Sequence, residues 1–174
     1  MNAIPMVLFA LLVVANAALV LSTGHLLPEQ LATHFDFSGR PDGWMSRGGY
    51  QAFMIAFAVV LPTIEVALLS ALPRLAPSSI RLPHREQWLA PERREETLGF
   101  LSRHGYWLGC LLSAFLGGVH LAIVAANQQQ PAHMPRYALA WVLVPFVLAI
   151  ALWIGALLVR FHKAPPPASS ARAR

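Results

Sequence analysis

Four stretches of this chain are apolar runs about as long as a bilayer is thick: Ile4–Leu21, Ala52–Leu72, Gly105–Ala126 and Tyr137–Val159. A helix rises ~1.5 Å per residue, so crossing the hydrocarbon core takes about 20 residues. Helix is the form expected, because a lone strand would leave backbone N–H and C=O groups unpaired in lipid. The fold class that follows is an all-α integral membrane protein, a four-transmembrane-helix bundle with a structured outward-facing loop. Residues 1–163 form its single domain, and the Pro-, Ala- and Arg-rich tail over 164–174 has nothing to bury and is expected to be disordered.

Only 12% of the 174 residues are charged and 56% are hydrophobic, the balance of a membrane protein rather than a soluble domain. The net charge of +5 does not point to nucleic acid, because the Arg residues cluster beside the apolar runs instead of alternating with aromatics on a soluble surface. They orient the spans instead. Six lie after the second run (Arg74, Arg81, Arg85, Arg93, Arg94, Arg103) and four in the tail (Arg160, Lys163, Arg172, Arg174), whereas Arg40, Arg47 and Arg136 are the three in the other two loops. Ten against three puts both termini and the middle loop in the cytoplasm and residues 23–50 outside. The run "VANA" ending at Ala17 resembles a signal-peptidase site, but Met1–Pro5 lacks a basic n-region, so the first span is expected to be kept.

Within the spans, small residues recur every four positions at Gly105, Gly109, Ser113 and Gly117, a ridge against which a second helix can approach closely. The ridge leaves open whether that helix belongs to this chain or to another copy. Pro62 and Pro145 are expected to kink the second and fourth spans. Cys110 reads as a small packing residue.

Asn16, Glu65 and His120 are the polar residues at depth, and such groups are functional candidates. Counted at ~1.5 Å per residue from the outer ends, Asn16 and His120 lie roughly 8–9 Å deep and could touch, whereas Glu65 lies about 20 Å deep. No basic residue shares that level, so Glu65 is expected to be uncharged at pH 7. It would donate to Ser113 or to a carbonyl freed near Pro62. Two roles stay open for it, a proton or cation step and a hydrogen-bonded packing residue. His120 is open between ligand and interhelical hydrogen bond.

The middle loop, "REQWLAPERREETLGFLSRHGYW", reads as a helix start that feeds into the third span, with Pro91 in the first helical position and Glu92 in the first turn. Arg93 and Glu96 are spaced to pair. Trp88, Glu92, Arg93 and Arg94 combine an aromatic anchor with dense charge, which suits either a juxtamembrane helix or a docking surface for a cytoplasmic protein.

The outward loop carries most of the chemistry. Leu27, Leu31 and Phe35 are spaced by four, an amphipathic run that would lie along the membrane surface. Gly39 suits a positive φ, and Arg40-Pro41-Asp42-Gly43 reads as a turn closed by Asp42. Trp44 and Tyr50 fall where an interfacial aromatic belt belongs. His34, Asp36 and Asp42, with His25 nearby, admit three readings: a metal site, an exposed binding surface, or a cap over the bundle in which His34 and Asp36 hydrogen-bond within the loop.

The segment "LPEQLATHFDFSGRPDGWMSR" resembles a bacterial membrane domain of unknown function, DUF1648, the N-terminal domain of SdpI-type toxin-immunity proteins. Leu27, Pro28, His34, Phe35, Asp36, Gly39, Asp42, Gly43 and Trp44 fall on its pattern. "QWLAPERREETL" is similar to a stretch of its small stand-alone members, so that the likeness runs over roughly the first hundred residues. The resemblance implies a bacterial inner-membrane protein and, for SdpI-type members, protection against a secreted toxin and membrane signalling. Those members carry a further multi-span module that four spans do not accommodate in full. The family implies no enzymatic activity and no cofactor. The spans themselves hold no Ser–His pair, HExxH motif or paired carboxylates. The expected function is therefore non-enzymatic: binding, sensing or immunity through residues 23–50. A small proton- or ion-coupled carrier using Glu65 is the competing reading. Expected partners are the bilayer, a membrane or cytoplasmic protein, or a second copy, and no nucleic acid.

Overall fold

The computed structural model describes residues 3–166 and contains four helices long and apolar enough to cross a membrane. Helix α1 runs over Ile4–Thr23 and ends in a tight turn at Gly24–Leu26. Strands β1 (Gln30–Phe35) and β2 (Pro41–Ser46) form an antiparallel hairpin. Helix α2 (Arg47–Ile55) passes through a π-helical turn at Ala56–Val60 into α3 (Leu61–Leu75), and together they make the second span. After a short helix α4 (Arg85–Trp88) come α5 (Arg94–Asn127) and α6 (Ala138–Phe161). The protein is a multi-pass membrane protein. Of the tail expected to be disordered, residues 167–174 lie outside the described residues.

Helix α5 is the axis of the bundle and packs against α1, α3 and α6. Its small-residue ridge answers the question of which helix approaches. A Cβ on Gly105 would sit 2.8 Å from the Leu69 Cβ, one on Gly109 2.3 Å from a Val66 methyl, and one on Gly117 2.5 Å from the Asn16 Oδ1. The ridge is therefore filled by α3 and α1 of this same chain. Ser113 is fully buried on it. Cys110 packs with Phe9 and Val66, as expected of a small core residue. The interruption at Pro62 takes the form of the π turn just before it. A proline cannot donate its i→i−4 bond, and the wider turn absorbs the freed carbonyls. Pro145 lies inside a continuous α6.

Two expectations for the loops are overturned. The spacing of Leu27, Leu31 and Phe35 does not mark a surface helix. Leu27 precedes β1, and Leu31 and Ala32 in the strand are fully buried against α2 and α5. Four-residue spacing and strand alternation coincide over so short a run, and pairing with β2 decides between them. At the other end of the bundle, α5 starts at Arg94 rather than at Pro91, although it does continue unbroken into the span.

Candidate functional site

The hairpin turn is built by Asp36 rather than Asp42. The Asp36 Oδ1 accepts from the Ser38 N–H (2.8 Å), the Ser38 hydroxyl (2.7 Å) and the Arg40 N–H (2.9 Å). Gly39 completes the turn with φ of +84°, the left-handed region that glycine enters freely. The Ser38 hydroxyl first, then the Arg40 amide, hold the Asp36 carboxyl below the ordinary carboxylate range. Asp42 instead reaches across the hairpin and pairs with the His34 Nδ1. Pairing shifts register between Ala32 and His34 and again between His34 and Phe35. These bulges re-aim the side chains around them. Gly43 faces His34, where a Cβ would come within 2.9 Å of the His34 Cβ. His34, Asp42 and Trp44 are exposed. Among the described residues no three His, Cys, Asp or Glu side chains gather as metal ligands.

The hairpin is clamped from residues far along the chain. The Asn127 side chain, at the end of α5, accepts from the Ala32 N–H through Oδ1 and donates to the Ala32 carbonyl through Nδ2, both at 2.8 Å. One amide thus satisfies both backbone groups of an edge-strand residue that would otherwise be unpaired. The Met134 N–H donates to the Gly39 carbonyl (2.9 Å), tying the loop before α6 to the hairpin tip. Between tip and loop lies an open cleft of about 730 Å³ bordered by His34, Asp42, Phe37, His133, Arg136 and Leu139.

Beneath the hairpin sits a buried polar chain that joins three elements. Thr23 gives its one hydroxyl hydrogen to the Leu19 carbonyl (2.7 Å), so toward His120 it can only accept. His120 therefore carries its proton on Nε2 and donates to Thr23 (2.7 Å), which leaves Nδ1 to accept from the Tyr50 hydroxyl (2.9 Å). Every donor and acceptor on the imidazole is used, and the Tyr50 and His120 rings stack at 5.7 Å. Tyr50 is thus a core residue, not an interfacial one. Asn16 and His120 take different partners, for the Asn16 Nδ2 donates to the Ser113 carbonyl (2.9 Å). The two would be level only if α1 ended at Leu21. The helix and its final turn continue to Leu26, which sets Asn16 deeper.

Glu65 makes neither of the hydrogen bonds expected of it. Both of its carboxyl oxygens and the Ser113 hydroxyl are buried without a partner among the described residues.

At the opposite end, Trp88 is buried edge-on against Phe161 at 5.1 Å, under the Arg160 guanidinium, and its carbonyl accepts from Thr97 (2.8 Å). It holds α4 to the bundle and is not a free docking anchor. Glu96 pairs with Arg160 (2.7 Å) rather than with Arg93, whose guanidinium donates to the Pro166 carbonyl. Glu92 and Arg94 remain exposed. Sequence reasoning missed Thr23 and Asn127 and gave Tyr50 an interfacial role. Each lies at or beyond the margin of an apolar run, where a polar residue passes for a boundary marker.

No curated protein and no solved structure matches the chain. Residues 8–60, from within α1 to the end of the π turn, match the model of the family described as Domain of unknown function (DUF1648).

Proposed function

We propose that the protein is a non-enzymatic binding or sensing module of the bacterial inner membrane, acting through the hairpin and its cleft. One observation carries the reading: a two-stranded hairpin, marginal alone, is pinned by Asn127 and Met134 so that its polar bulge stands open rather than covered. The ten-to-three bias of Arg and Lys supports placing it outside, with both termini in the cytoplasm. Immunity of the SdpI type is one form that such binding can take. Partners of the required kind are an envelope protein at the hairpin, a cytoplasmic protein at exposed Glu92 and Arg94, or a second copy. Crosslinking pull-down from native membranes tests the reading, with wild type compared with a variant altered at His34, Asp36 and Asp42. A partner captured by wild type alone is expected, and identical capture by both would end it.

A carrier role for Glu65 draws support from its unpartnered carboxyl. Its neighbour Cys110 belongs to an apolar cluster with Phe9 and Val66, and both carboxyl oxygens are buried, which favours the binding reading. Proton flux in liposomes that is lost in Glu65→Gln would reverse that preference.

A further inference from the structure

We propose that the cleft under the hairpin tip is a binding site for the headgroup of a zwitterionic phospholipid bearing a primary ammonium, drawn from the leaflet that surrounds it. The proposal rests on the hairpin being the ligand-facing element, and it names the ligand class.

The level of the cleft is the first ground. Leu139, on its wall, is in the first turn of α6, so the cleft opens where a membrane-crossing helix enters the apolar layer. Exposed Tyr137, Trp141 and Trp44 lie at this end of the bundle, the aromatic types that settle at headgroup depth. Phe37 sits on the hairpin turn with its side chain wholly exposed. A water-facing loop gains nothing from that, whereas a loop lying against the interface places the ring among acyl chains.

The charges on the walls are the second ground. The Arg136 guanidinium lies over the Tyr137 ring at 5.7 Å and forms no ion pair among the described residues, so its donors are free for a phosphate. Facing it are two carboxylates, Asp36 and Asp42, each with only Oδ1 engaged. One fixed cation and carboxylates on a single cleft match a headgroup with a phosphate and an ammonium. They match less well a headgroup that is purely anionic, which the carboxylates repel, or one whose quaternary nitrogen has no hydrogen to donate. Phe37 and Leu139 supply the apolar side that the glycerol and first methylenes require.

Native mass spectrometry of the delipidated full chain tests this, with phosphatidylethanolamine, phosphatidylglycerol and phosphatidylcholine offered at equal concentration. Retention of the ethanolamine lipid at least about threefold above the other two is expected, falling to their level in Arg136→Ala and in Asp42→Asn. Because these side chains are exposed, thermal melting of both variants should match wild type and exclude misfolding. Equal retention of the three lipids, or unchanged preference in both variants, overturns the proposal. A dimer that Phe37→Ser abolishes, with no lipid adduct, would assign the cleft to a second copy and overturn it equally. Labelling of Ser38→Cys by an impermeant thiol reagent on intact cells separates the two levels. Outward labelling without lipid preference removes only the lipid, whereas labelling from the cytoplasmic side removes the outward reading beneath it.

Discussion

Tyr50 has a single hydroxyl hydrogen, and the imidazole of His120 is its destination. Removing that donor leaves a buried nitrogen lone pair with nothing to accept, and an orphaned buried group costs about 1–3 kcal/mol. Tyr50→Phe should therefore lower the thermal midpoint in detergent even though the ring that stacks on His120 is kept. Glu65→Gln should not, because the carboxyl has no partner to lose. Asp36 behaves differently again, since it titrates at the surface. Its hydrogen bonds favour the ionised form, so the stability that it lends the turn is present above the unfolded carboxyl value near 3.8. That contribution is lost as pH falls through the lower folded value. Amide resonances of Ser38 and Arg40 should keep their bonded shifts below the unfolded value, and Asp36→Ala should move them at neutral pH. The polar residues inside the runs can be found from the sequence, but their partners cannot. A hydrogen bond depends on level and rotation to within an ångström, and an error of a few residues in the end of α1 is enough to match Asn16 with the wrong neighbour.

The elements divide by how much of their geometry is local. The helices are legible because twenty apolar residues admit one solution in lipid, and their observed ends differ from the expected ones mainly by extension into flanking polar residues. The hairpin is not legible as strands. Asp36 and Asp42 stand at equal distances before and after Gly39, and either residue can carry turn chemistry. Only the register of β1 on β2 assigns the turn to the first and the His34 pair to the second. The ridge on α5 is legible, but its occupants are not. With Val66 and Phe9 already seated, Gly109→Ala places its methyl 2.3 Å from a Val66 methyl and 3.0 Å from the Phe9 ring. Overpacking of this kind costs about 1–3 kcal/mol. Gly155→Ala on α6 meets nothing within 4 Å and should melt as wild type does, which makes it the matched control.

At the scale of the whole molecule, the two ends of the bundle are unlike. One is a clamped hairpin with an open polar cleft, and the other is a knot of Trp88, Phe100, Phe161 and Arg160 that closes over itself. Placing the first end outside predicts that Ser38→Cys reacts with an impermeant maleimide on intact cells, while Ser79→Cys reacts only after permeabilisation. The reverse pattern would sink the proposed orientation.

The clamp also imposes an order on biosynthesis. Ala32 waits for Asn127, and Thr23 waits for His120, across 95 and 97 residues of chain. While the ribosome is still making α5, the hairpin has its strand edge bare and Tyr50 is without an acceptor. Residues 8–60 do not contain the helix that completes them. The stretch matched to the family therefore depends on α5, supplied by another part of the chain, for the contacts that complete it.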